Sequence, residues 1–324
     1  MKKEYFLLVI VIVALGALLF YQKKGRTNYQ LPKLAQLDKA VDRLFIEKAG
    51  EQVELNLRDG KWVLGKQAYP ANQARVEKMI DEVRNLNLTA LISDKGNYQI
   101  YELTPEKALA VRLYNGAQLL REIEVGKNSS SLRQTYVRLH NDANVYQALG
   151  NLQSNFFTTV NELRDKKVLA ISPEKLAGID EIVLEQPAAG GLQRVKLVKV
   201  KALPAADAEK TESSSAPTAS WQREDGGPLD PALVTRLLKT LSDLQCESFI
   251  EDSQAQSFTN PLYRVEARGA GEAFSLVLLA AEDNKYPALS SQVQEPFWLP
   301  AWRVDSVVKS FSVGAGSENK AERQ

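Results

Sequence analysis

The chain has 324 residues, with 41 Lys+Arg against 40 Asp+Glu, one cysteine and one histidine. A near-zero charge balance argues against nucleic acid, which demands a basic face. A lone cysteine excludes a disulfide framework within the chain, and one cysteine with one histidine leaves little for a Cys/His metal site.

The first element is Phe6 to Tyr21, a run without charge. Sixteen helical residues span roughly 24 Å, slightly short of a ~30 Å hydrocarbon core. Tyr5 and Tyr21 suit the two interfaces, with Lys2, Lys3, Lys23 and Lys24 beyond them. A cleaved signal peptide is the competing reading, but the apolar run continues past Ala14-Leu15-Gly16 through Leu18, Leu19 and Phe20. The positive flanks do not decide orientation. A Lys-Lys start followed at once by an apolar run matches an export signal, which places the body outside the cytoplasmic membrane.

Residues 23–40 read as a polar stalk. The first strand is Arg43 to Glu47, followed by Val53, Leu55 and Leu57 at period two, Asp59-Gly60, then Trp62 and Leu64. Asp-Gly between alternating runs predicts a hairpin. Val76, Met79, Ile80, Val83 and Leu86 have helical spacing, and Leu86 to Ile92 reads as a strand. Further hairpins are predicted at Asn115-Gly116 and Asn141-Asp142, and a short helix over 151–164.

The pattern then restarts. Asp42 to Glu47 is echoed by Asp180 to Glu185, and Trp62 by Trp221. Val76, Met79, Ile80, Val83 and Leu86 return as Val234, Leu237, Leu238, Leu241 and Leu244, all at an offset of 158. The second copy carries extra residues, and Ala202 to Ser220 is rich in Ala, Ser, Pro and charge without apolar pattern. The expected class is therefore α+β: an N-terminal transmembrane helix followed by two tandem copies of an α+β unit, each with antiparallel hairpins and one main helix. The divisions are a cytoplasmic tail 1–4, a transmembrane helix 5–22, the stalk 23–40, a first repeat 41–165, a second repeat 175–310 with a disordered insertion 202–220, and a loose tail 311–324.

His140 lies in a predicted turn with no nucleophile signature beside it, and reads as a surface residue. Cys246 falls at the repeat position of Leu88 and reads as a small buried hydrophobe. Phe297, Trp298 and Trp302 lie in an aromatic stretch broken by Pro300. A capping segment over the second core is one reading, and a docking patch for a partner the other. No Gly-rich phosphate loop and no clustered carboxylates are found, so no catalytic residue, cofactor or metal ligand is assigned and the chain reads as a non-enzyme.

Several features in order carry a family resemblance. They are the Trp-ending hairpin, Tyr69-Pro70-Ala71-Asn72 opening a helix, Tyr101-Glu102-Leu103 with Pro105, Tyr136-Val137-Arg138 on a strand, and Leu163-Arg164-Asp165-Lys166. Together behind one apolar amino-terminal run they resemble the bacterial family of domains of unknown function numbered 4340, over roughly 40–310. Tyr101-Glu102-Leu103 departs from the Tyr-Gly-Leu turn more usual in the family. The resemblance implies accessory proteins of ABC-type export systems, with no activity to carry over. The expected function is a non-catalytic, single-pass, extracytoplasmic accessory subunit, bound to the membrane through 5–22 and to an ABC permease or auxiliary subunit. The alternative is an envelope module that captures a glycan or peptide in the cleft between the repeats. No small-molecule ligand is specified.

Overall fold

Two-residue turns with left-handed backbone set the local pattern of this fold. Asp59 and Gly60 have φ of 50° and 74°, and Ala49 and Gly50 have 50° and 86°. Positive φ at both central residues matches the right-handed twist of the strands that such a turn joins. The computed structural model describes residues 11–18, 30–188, 191–200, 220–226, 229–250, 258–269 and 271–312.

The chain divides into two compact units, Met1–Asp165 and Lys166–Gln324. The first holds helix α1 (11–18), β1 (Arg43–Lys48), β2 (Glu51–Arg58), β3 (Lys61–Leu64), β4 (Tyr69–Pro70), α2 (Gln73–Arg84), β5 (Leu88–Ser93) and α3 (Tyr98–Tyr101). It continues with β6 (Leu109–Asn115), β7 (Gln118–Asn128), β8 (Gln134–Leu139), β9 (Val145–Leu149), α4 (Leu152–Phe156) and α5 (Val160–Leu163). The second holds α6 (Pro173–Ala177), β10 (Glu181–Ala188), β11 (Gly191–Val200), β12 (Ser220–Arg223), α7 (Pro231–Ser242) and β13 (Ser248–Phe249). After these come β14 (Tyr263–Gly269), β15 (Glu272–Leu278), β16 (Lys285–Ser290), β17 (Phe297–Pro300) and α8 (Ala301–Ser312).

The first unit is built on a nine-stranded sheet in the order β4-β3-β2-β1-β6-β7-β8-β9-β5, and the second on an eight-stranded sheet in the order β12-β11-β10-β14-β15-β16-β17-β13. Every named pairing is antiparallel. Apart from the two-residue edge strand β4, the two orders follow one plan. Each opens with a meander at one edge, crosses to a second meander, and returns the strand after the main helix to the far edge.

This corrects the expected class. An α+β body behind a transmembrane helix gives way to two large antiparallel sheets with few helices. The physical reason is long-range pairing: β1 joins β6, with Leu44 opposite Leu113 and Ile46 opposite Val111, and so fuses separate hairpins into one sheet. The helices are short covers. Among the described residues the longest, α2, α7 and α8, have 12 residues each. Among the described residues no helix is long and apolar enough to cross a membrane. Of the expected 5–22 span the structure describes residues 11–18, and these are helical. The rest of the expected 5–22 span lies outside the described residues, as do residues 202–219 of the expected insertion and the tail from 313.

Each sheet buries one face. In the first, Leu44, Ile46, Leu55, Val111, Leu113, Ile123 and Val125 meet Val76, Met79, Ile80 and Val83 of α2 and Phe156 of α4. Asn72 caps α2 by accepting from the Arg75 backbone N–H at 3.1 Å. In the second, Ile182, Leu184, Val265 and Leu276 meet Val234, Leu237 and Leu241 of α7 and Val304 and Val307 of α8. Burying one face of a sheet under short helices needs no thicker architecture.

Candidate functional site

The site with most chemistry lies on the first sheet, on the face turned away from α2. Strand alternation puts it there. Leu44 and Ile46 point into the core, so Glu47 points out; Ile123 and Val125 point in, so Glu122 and Glu124 point out. Across the strands Arg112 stands opposite Glu122, and Glu124 opposite Arg138.

These side chains form a charge ladder. Arg112 Nη1 donates to Glu47 Oε2 at 2.8 Å, and its Nε donates to Glu122 Oε1 at 2.6 Å. The other carboxylate oxygen of Glu122 lies 2.5 Å from His140 Nδ1. Arg138 Nε donates to Glu124 Oε2 at 2.7 Å, and Nη2 reaches the other oxygen, a two-pronged pair. The Arg138 guanidinium also lies 4.6 Å from the centre of the Tyr98 ring. Beyond the ladder, Asp142 accepts from the Tyr146 hydroxyl at 2.7 Å and from the Asn144 backbone at 2.9 Å.

The pairing shows in the ionisation of the groups. The Arg112 hydrogen bond holds the Glu47 carboxyl below its ordinary range, against a smaller opposing effect of burial. For Arg112 burial pulls the guanidinium down, but the bonds from Glu47 and Glu122 together outweigh it and the net direction is up. The Glu124 bond likewise raises Arg138 over the opposing effect of burial. Burial and the bond to Asp142 push the Tyr146 phenol up.

A cavity of about 420 Å³ opens here, lined by Tyr98, Glu122, Glu124, Arg138, His140 and Asp142 among others. A smaller one of about 210 Å³ shares Glu124 and reaches Glu47 and Arg112. Tyr98 is brought over the sheet by the stretch through α3, whose Leu103 packs with Ala108 and Val145 under Tyr98, Tyr101 and Tyr136. That crossing requires a glycine below it. A Cβ on Gly126 would stand 2.2 Å from the Tyr101 carbonyl oxygen. Tyr98 is then fixed by donating its hydroxyl hydrogen to the Ala143 carbonyl at 2.9 Å.

Chemically, the ladder presents paired charges that can recognise a complementary surface, its acids engaged by guanidinium, imidazole or hydroxyl groups. Among the described residues no three His, Cys, Asp or Glu side chains could hold a metal ion. His140 sits in the turn after β8, half-exposed, with its backbone N–H on the Glu122 carbonyl at 3.3 Å. Cys246 is buried within the second core. Trp62 is in the first core and Trp221 packs partly buried against the second.

The three aromatic residues proposed for docking separate. Phe297 is fully buried in the second core. Trp298, the next residue on β17, points the other way and is half-buried. Trp302, on α8, is 64% exposed. Of the three, only Trp302 offers most of its surface to a partner. Glu122 and Glu124 were not singled out from sequence. The alternating charges of Arg121-Glu122-Ile123-Glu124-Val125 were the available signal, but their partners depend on strand register.

The architecture thus defines a protein of two antiparallel-sheet units of like strand order, each covered on one face by short helices. The chain belongs to the family described as domain of unknown function (DUF4340), whose profile matches residues 62–261, more than half of its length. No curated protein and no solved structure matches it.

Proposed function

We propose that this chain is a non-catalytic accessory subunit of an ABC-type transport complex, held at the outer side of the cytoplasmic membrane by its apolar amino-terminal segment. The observation that carries the reading is the ladder itself. A face of charges already neutralised in pairs suits docking against another protein, where rim charges set register and specificity and contribute little raw affinity. The uncharged run Phe6 to Tyr21 supports attachment to a membrane. Exposed Trp302 supports contact with a protein, since aromatic anchors dominate such interfaces.

The test is isolation of the full chain from native membranes in mild detergent. Recovery of an ABC permease or its auxiliary subunit in stoichiometric amount supports the reading. Recovery of the chain alone from native expression levels overturns it. A reporter fused after Gln324 tests the side of the membrane separately, and activity of the reporter on the cytoplasmic side would reject the proposed location.

A further inference from the structure

Residues 31–42 form no helix or strand, yet they lie against the first unit. Leu31, Leu34 and Leu37, at every third position, pack partly buried against the first core. Arg121 on β7 binds this stretch to the main helix. One nitrogen of its guanidinium donates to the Val83 and Arg84 carbonyls at the end of α2, at 2.9 and 2.7 Å, and the other donates to the Ala35 carbonyl. The last carbonyls of a helix lack intrahelical donors and carry partial negative charge, so a cation fits there without a carboxylate. Downstream, Lys39 Nζ donates to Gln118 Oε1 at 2.6 Å and Asn115 Nδ2 to the Ala40 carbonyl at 2.8 Å. The Gly116 backbone N–H donates to Asp42 Oδ2 at 2.7 Å. The β6–β7 hairpin therefore holds residues 35–40 through side chains, and at Asp42 the backbone takes over, its N–H donating to the Tyr114 carbonyl at 3.0 Å.

We infer that residues 31–40 are a strap latched to the first unit, with Arg121 as its catch, so that this unit is carried close to the amino-terminal segment and not on a free leash. The purpose of the strap rests on the membrane attachment proposed above; the latch itself does not. A fully extended chain covers at most about 3.4 Å per residue. Latched, the ten steps from Tyr21 to Leu31 reach at most about 34 Å; unlatched, the twenty steps to Val41 reach about 68 Å. Release of the whole strap would double the distance at which this unit could meet a partner.

Trypsin reads the strap directly in the full-length chain, because Lys33 stands exposed between Leu31 and Leu34. Cleavage after Lys33, followed by mass spectrometry under native conditions, reports the open fraction when opening is fast relative to cutting. Arg121→Gln removes the catch, and loss of its charge-assisted bonds should speed this cut about tenfold or more. Leu37→Asp loosens the packing of the strap with Arg121 in place and leaves the residues flanking the Lys33 cut unaltered; it should give the same acceleration, which decides the matter if Arg121→Gln fails to fold. The unfolding midpoint of Leu37→Asp should stay near that of the unaltered chain. Equal cutting rates at Lys33 in the unaltered chain and Leu37→Asp would overturn the strap. Acceleration in Leu37→Asp but not in a folded Arg121→Gln would overturn the catch. Neither result bears on whether a permease is recovered, so the two proposals fail separately.

Discussion

Gly126→Ala is expected to destabilise the first unit, although strand propensity argues for the opposite. Alanine in place of a strand glycine ordinarily helps by roughly 0.5–1 kcal/mol, because glycine loses more backbone freedom on folding. At Gly126 the added Cβ would meet the Tyr101 carbonyl oxygen at 2.2 Å and Leu103 Cγ at 3.0 Å. The first is backbone and cannot rotate aside, so the stretch through α3 must lift off β7. Overpacking of this kind costs about 1–3 kcal/mol. At ~2–4 °C per kcal/mol for a domain of this size, the midpoint should fall on the order of 5 °C. Lifting α3 also withdraws Tyr98 from the Arg138 guanidinium, so the tyrosine circular dichroism in the near ultraviolet should change before the global transition. Calorimetry with near-ultraviolet circular dichroism measures both. An unchanged or raised midpoint would refute the close crossing as the reason for glycine.

Phe297→Ala should cost about 3–5 kcal/mol, as expected of a fully buried aromatic, while Trp302→Ala should leave stability within about 0.5 kcal/mol; urea titrations separate them. If α8 is the docking face, Trp302→Ala alone should lose the permease on isolation from membranes. Arg138→Lys keeps the charge but loses the two-pronged bond to Glu124 and the flat stack on Tyr98, and should cost about 1 kcal/mol in urea unfolding, a figure kept low because the pair is partly solvated. The Glu47 carboxyl is held below its ordinary value of 4.5 by Arg112. Its contribution is therefore fully present above that value and is lost as the pH falls through the lower folded-state value. The unaltered chain should lead Glu47→Gln in unfolding midpoint near neutrality, and the gap should close as the pH falls below 4.5 and through the lower folded-state value; a gap that persists in strong acid would contradict the assignment.

Local structure was legible where a residue type states its own geometry. Asp59-Gly60 announces a tight hairpin, and both residues do adopt positive φ. Ala49-Gly50 and Asp283-Asn284 adopt positive φ in the same way, but neither pair stands out from ordinary loop sequence. The main helix was visible in Val76, Met79, Ile80 and Val83, all buried on one side of α2. The bounds Gln73–Arg84 and Pro231–Ser242 lie 158 residues apart at both ends, the same offset that relates their apolar positions. The class of the fold was not legible, because it depends on joins that no local period records. The pairing of β1 with β6 sets Arg43 against Tyr114, and β5 returns to the far edge beside β9 through a register broken twice. Hairpins read one at a time look like small sheets beside a helix. Only the long-range joins make them two large ones. The charge ladder was hidden for the same cause, since Glu122 means little until Arg112 is known to stand opposite it.

The same distinction explains why the two units resemble one another more closely in their apolar contacts than in their ion pairs. On the core face, Leu44 and Ile46 stand opposite Leu113 and Val111, and Ile182 and Leu184 stand opposite Ala267 and Val265, apolar against apolar in both units. On the outer face the wiring differs. Glu47 stands opposite Ala110 and reaches diagonally to Arg112, whereas Glu185 stands opposite Arg264, 3.6 Å away. In the second unit Glu181 pairs with Lys196 at 3.2 Å, and Lys196 also meets Glu224 at 3.0 Å. Truncating a core leucine costs about 2–5 kcal/mol, while a solvated ion pair contributes about 0–1. A one-residue slip would turn the whole apolar set outward, so the core face fixes register in both sheets. The outer face can exchange partners at little cost to stability. One strand order therefore supports two different charge patterns, and the apolar periodicity preserves the likeness of the units while their outer faces have diverged.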